Sequence, residues 1–177
     1  GTGTLAAYGQ KGDRLRFYEI NPEVQRLARS RFTYLKQCPA RVEVVLGDAR
    51  LSLERESAQR FDLLVWDAFS SDAIPVHLLT REAFEIYLRH MKPDGVVAVH
   101  ISNHYLNLEP VVNNLAKHFR LQRVSIFENG LDEEEEESGW WHYESTWVLL
   151  TRNEALLRHT AIADAQSKSD AQPLKIP

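Results

Sequence analysis

Short apolar, β-branched runs alternate with helix-like stretches along most of the chain. The runs fall at residues 15–20 (LRFYEI), 42–46, 61–66, 96–101, 122–127 and 146–151. After the first of them, Asn21-Pro22-Glu23 has the form of a helix start: a capping side chain, a proline at the first helical position and an acid in the first turn. Val24, Leu27, Ala28 and Phe32 then share one helical face. Further helices are expected as a short segment through Leu53 after Gly47-Asp48-Ala49-Arg50, from near Thr80 with Ala83, Phe84, Tyr87, Leu88 and Met91 inward, and from Pro110 with Val111, Val112, Leu115, Ala116 and Phe119 inward. Lys92-Pro93-Asp94-Gly95 reads as a turn. Strands this continuously apolar, alternating with helices, predict an α/β fold whose mostly parallel sheet is covered on both faces. Only an acidic, tryptophan-bearing segment separates the last two runs, so they should pair antiparallel as a hairpin. Beyond Arg152 the pattern is weakly helical to about residue 166 and then polar.

Size and charge narrow the function. With 177 residues, 44% of them hydrophobic, the chain has the material for one domain with a core. Its net charge of −4 offers no basic footprint for nucleic acid. A single cysteine, Cys38, cannot form an internal disulfide, and no Cys/His cluster suggests a metal, so a reducing, cytoplasmic setting is expected. No stretch approaches the ~18 apolar residues of a membrane span. The opening GTGTLAAYG is a glycine turn of the kind that follows a strand, which points to a fragment lacking its first strand.

In open α/β sheets ligands bind at the carboxyl ends of the strands, and here those ends carry acids. Gly1-Thr2-Gly3 precedes a short helix and permits close backbone approach to a ligand. Glu19 ends the next run and is placed to accept both hydroxyls of a ribose; a solvated acid near the Asn21 cap is the plainer alternative. Asp48 can take an adenine amino hydrogen bond or simply cap the helix that follows. Asp67 ends the run at 61–66. Acids at three successive strand ends beside a glycine turn describe a nucleoside pocket. A nicotinamide-dinucleotide site explains Gly1, Gly3 and Glu19 equally well, but it has no need of Asp48 and seldom accompanies a terminal antiparallel hairpin. Those two features favour an S-adenosyl-type ligand.

GTGTLAAYG, YEINP, GDAR, FDLLVWDAFSSDAIP and HMKPDGVVAVHISN, in that order, resemble the successive motifs of the spermidine synthase branch of the class I S-adenosylmethionine-dependent transferases. The likeness covers about residues 1–151, leaving 152–177 as a terminal helix and tail, and is to the bacterial type often fused to membrane segments. It implies a Rossmann-like class I methyltransferase fold of seven strands, the first missing and the last antiparallel. It also implies that Glu19 with Ile20 holds the ribose, Asp48 with Ala49 the adenine, and Gly1 and Gly3 the amino-acid or aminopropyl end of S-adenosylmethionine or its decarboxylated form. Asp67 becomes the catalytic acid beside a small amine, Asp72 an anchor for that amine, and methylthioadenosine the product. No metal is implied. A membrane tether and a homodimer are compatible with the resemblance.

The chain departs from that family at three points. Thr2 stands where the family carries an acid that grips the aminopropyl nitrogen. Asp67 and Asp72 lie farther apart than the paired acids of the family's loop. SGWWHYESTW replaces the usual Tyr-Pro-Ser-Gly, and the family's amino-terminal hairpin domain is absent from the sequence. Other residues have plain readings. His100, on an apolar run with no partner nearby in sequence, is expected to be a core or strand-end histidine. His77 and His104 follow strand ends. Trp140 and Trp141 are expected to cover apolar surface or a dimer contact, and residues 132–137 to form a solvated acidic loop. Three functions follow: aminopropyl transfer to an amine such as putrescine, methyl transfer, or ligand binding without catalysis.

Overall fold

In a computed structural model, residues 2–68, 75–103, 106–128 and 144–170 are described. The chain divides into two compact units, Gly1–Ser57 and Ala58–Pro177.

The first unit opens with a 3₁₀ turn, Thr4–Tyr8, and continues through β1 (Arg14–Glu19), α1 (Pro22–Arg31), α2 (Tyr34–Gln37), β2 (Arg41–Leu46) and α3 (Ala49–Arg55). Asn21 caps α1 by accepting from Glu23 N–H, with Pro22 at the first helical position. A parallel pair needs a crossover, and α1 with α2 supplies it between β1 and β2. The short α2, which sequence periodicity does not announce, stacks Tyr34 on Phe32 at 5.4 Å. Arg16 and Glu43 stand directly opposite in the β1–β2 register and pair at 2.5 Å. Arg16 also pairs with Glu56 at 2.6 Å, and the Tyr18 hydroxyl donates to the same carboxylate. Burial would lower the Arg16 pKa, but its bonds to Glu56 and Tyr18 hold it raised. Burial, then the Glu56 bond, pushes the Tyr18 hydroxyl pKa upward.

In the second unit come β3 (Phe61–Trp66), a 3₁₀ turn (Val76–Leu78), α4 (Arg81–Arg89), β4 (Met91–His100), α5 (Glu109–Phe119), β5 (Gln122–Glu128), β6 (Ser145–Thr151), α6 (Glu154–Leu157) and α7 (Thr160–Asp170). The ladder runs β3-β4-β6-β5. β3 and β4 are parallel, and β6 runs antiparallel to both β4 and β5. The expected hairpin partners therefore do pair, and β6 enters between its partner and β4. Val96 through Val99 are all buried, as an interior strand with both faces covered requires. Phe84 and Tyr87 of α4, Val112 and Ala116 of α5, and Val148 and Leu150 of β6 complete the core. Thr80 caps α4 by accepting from Ala83 N–H.

Two expectations are corrected. Met91 does not extend the apolar face of α4; it begins β4, paired with Phe61. Phe61 N–H donates to His90 O at 2.7 Å, so the chain has already left the helix for the sheet. Lys92-Pro93-Asp94-Gly95, expected as a turn, instead lies within β4, where the register jumps from Phe61↔Met91 to Leu63↔Val96 and these residues are left over as an irregularity of the strand.

Candidate active site

At the carboxyl edge of the first unit the ends of β1 and β2 are tied together, Gly47 N–H donating to Glu19 O at 2.9 Å. Glu19 and Asp48 thus belong to one edge of a parallel pair. Both Glu19 carboxylate oxygens are engaged: Oε1 accepts from Asn21 N–H at 2.8 Å and Oε2 from the Thr2 hydroxyl. Thr2 is itself held through its carbonyl, which accepts from Tyr34 at 3.3 Å. Ile20, next to Glu19, is 70% exposed, an apolar side chain standing at the same edge. Asp48 caps α3 by accepting from Leu51 N–H at 2.9 Å, and Ala49 is the first residue of that helix. Gly3 is buried with φ +90°, and a Cβ there would meet Leu35 Cγ at 3.0 Å. The left-handed backbone there favours glycine with or without a ligand. Two carboxylates, which can accept hydrogen bonds, and an exposed apolar side chain therefore share this edge.

At the carboxyl edge of the second unit the parallel register pairs Trp66 with Val99. One step further, Asp67 and His100 meet: His100 Nδ1 lies 2.8 Å from Asp67 Oδ1. His100 Nε2 is 2.9 Å from Ser102 Oγ, which in turn accepts from Thr146 N–H at 2.7 Å. Trp147, opposite His100 on β6, stacks on the imidazole at 4.7 Å with the planes 14° apart. The hydrogen bond from His100 holds the Asp67 carboxyl below the usual carboxylate range, against the burial that would raise it. The side chain of Asp67 remains about half exposed, at 52%. His100 is the strand-end histidine expected, the last residue of β4, and its carboxylate partner comes from the end of β3, far away in sequence. Distance along the chain hid the contact, and alignment of the two strand ends would have revealed it.

Gly1 and Asp72 lie outside the described residues, as do His104, Trp140, Trp141 and residues 132–137. His77 is exposed within the 3₁₀ turn Val76–Leu78. Among the described residues no group of three or more His, Cys, Asp or Glu could hold a metal ion, and no helix is long and apolar enough to cross a membrane. A cavity of about 360 Å³ in the second unit is lined by Leu79, Arg81, Val111, Asn114, Leu115 and His118, none of them an expected site residue.

These strand ends can be set beside known proteins. No family model matches the chain. A stretch of 66 residues is 38% identical to the polyamine aminopropyltransferase of Vibrio vulnificus (strain CMCP6), covering 36% of this chain and 21% of that protein. The chain thus spans about a fifth of that relative's length. Among solved structures, a spermidine synthase in complex with the transition-state analogue AdoDATO superposes with a TM-score of 0.55 at 18% identity, over 77% of this chain and 46% of that one. A precorrin-6y C5,15-methyltransferase from Geobacter metallireducens GS-15 does so with a TM-score of 0.55 at 14% identity, over 78% and 67%. The fold is accordingly that of the class I S-adenosylmethionine-dependent methyltransferases, a mostly parallel α/β arrangement with an antiparallel strand pair. Within that class the chain resembles the polyamine aminopropyltransferases and spermidine synthases.

Proposed function

We propose that the chain is the S-adenosyl-binding domain of an aminopropyltransferase-like enzyme. In this reading it moves an aminopropyl group from decarboxylated S-adenosylmethionine to a small amine such as putrescine, and residues 1–151 form the transferase domain, working in the cytoplasm. The observation that carries it is Asp67, a carboxylate at the end of β3 kept ionised by His100. Glu19 with Ile20 holds the ribose and Asp48 with Ala49 the adenine, with Gly1 and Gly3 at the aminopropyl end. Asp72 is a second anchor for the amine.

The donor supplies a sulfonium-bound carbon. An acceptor amine, protonated with a pKa near ~10, must lose a proton before its nitrogen can form the new N–C bond and break the C–S bond. Asp67 takes that proton and, being half exposed, passes it to water. A carboxylate held below its ordinary range is a weak base toward such an amine, so the proton is passed on rather than kept. The attraction of Asp67 for the ammonium adds correct placement of the nitrogen for in-line attack.

A second reading, methyl transfer from S-adenosylmethionine, is favoured by Thr2. Thr2 itself brings no carboxylate to grip an aminopropyl nitrogen, and its hydroxyl donates to Glu19 instead. Product analysis of the full-length protein with each donor in turn separates the readings. Methylthioadenosine with an aminopropylated amine supports the first. S-adenosylhomocysteine with a methylated product supports the second, and nucleoside binding without turnover of either donor would leave a silent domain.

A further inference from the structure

The polar chain at the carboxyl edge of the second unit has a fixed direction. Thr146 N–H can only donate, and it occupies a lone pair of Ser102 Oγ at 2.7 Å. The ionised carboxylate of Asp67 can only accept, so the atom facing it at 2.8 Å, His100 Nδ1, must carry a proton. That leaves His100 Nε2, 2.9 Å from Ser102 Oγ, to accept the serine hydroxyl proton in the neutral ring. Stacking on Trp147 at 4.7 Å fixes the plane of the imidazole, so its Nδ1–H direction is set by two strands at once. Asp, His and Ser in this order also make an acyl-transfer triad when the serine oxygen is open to attack. Here β6 pins that oxygen through Thr146 N–H, and the constellation is aimed at the carboxylate instead.

We propose that His100 is a positioning residue for Asp67: locked as the Nδ1–H tautomer, it holds Oδ1 and leaves Oδ2 to take the proton of the acceptor amine. The tautomer is a property of the protein alone; its use in transfer rests on the reading of Asp67 as the base. Ser102 and Trp147 serve His100, and neither touches the reacting atoms.

Long-range ¹H–¹⁵N correlation of the histidine side chains of the full-length protein at neutral pH reads the tautomer directly, with His100 assigned by its loss in His100→Asn. The expected spectrum shows a protonated Nδ1 and an unprotonated Nε2 on His100, and Asp67→Ala should return the ring to the ordinary Nε2–H form. An Nε2–H form, or a doubly protonated ring, in the unaltered protein would overturn the proposal. Turnover supplies the second arm. His100→Asn keeps a nitrogen donor at the δ position and should retain more turnover than His100→Gln. His100→Gln, whose amide reaches only the ε position facing Ser102, should lower kcat by up to about 10²-fold, with donor affinity unchanged. Retained turnover in His100→Gln with loss in His100→Asn would show that the ring serves β6 alone, and the proposal would fail. If the unaltered protein turned over no donor, the functional reading would fall, while the tautomer result would still decide the geometry.

Discussion

The hydroxyl of Thr2 donates to Glu19 Oε2, so the glycine turn at the start of the chain is tied to the acid that ends β1. Glu19 also receives Asn21 N–H, which fixes the carboxylate from both sides. If this prearranged acid holds a ribose, Glu19→Ala should weaken binding of methylthioadenosine by roughly 1.5–3 kcal/mol, the range for hydrogen bonds to a charged group. Isothermal calorimetry reads it as about a 10- to 150-fold rise in Kd. An unchanged Kd would remove Glu19 from the site.

Arg16 and Glu56 form a sheltered ion pair in the first unit, with side chains 18% and 19% exposed. Glu56→Ala should cost about 1–3 kcal/mol, because a partly buried guanidinium and the Tyr18 hydroxyl both lose an acceptor. Glu43→Ala, at the more exposed partner of Arg16, should cost no more than about 1 kcal/mol. Urea unfolding compares them, and equal losses would contradict the assignment.

Tyr18 also sets an alkaline limit. Its folded pKa is raised by burial and by Glu56, so the native state keeps a proton that the unfolded chain releases near pH ~10. The associated stability is complete below that pH and is lost as the pH rises from there through the folded value. Tyr18→Phe should flatten the decline in denaturant midpoint above pH ~10; an unaltered slope would exclude Tyr18 as its source.

Gly3 combines φ +90° with a Cβ direction filled by Leu35. Gly3→Ala therefore meets both the left-handed backbone penalty and an overpacked contact, together about 2–4 kcal/mol. A lowered melting temperature with normal nucleoside affinity would assign this glycine to packing; lost affinity in a stable variant would assign it to the ligand.

Much of this was legible in the order of residues. Apolar runs and caps such as Asn21, Asp48 and Thr80 locate strands and helices because they act within a few residues of themselves. The pairing of Asp67 with His100 was not legible, since it depends on how two parallel strands align, which periodicity along either strand leaves open. Met91 fails for a related reason: it fits the helical spacing of α4, but the hydrogen bond from Phe61 N–H to His90 O has already committed the chain to β4. The insertion of β6 between β4 and β5 is likewise a fact of sheet assembly.

The central claim is that Asp67 takes the proton that frees the acceptor amine. The most direct measurement is the time course of methylthioadenosine release from decarboxylated S-adenosylmethionine and putrescine, comparing the unaltered full-length protein with Asp67→Asn. The predicted result is one methylthioadenosine for each aminopropylated amine in the unaltered protein and none above background in the variant, with nucleoside affinity nearly the same in both. Equal release by Asp67→Asn would contradict the account.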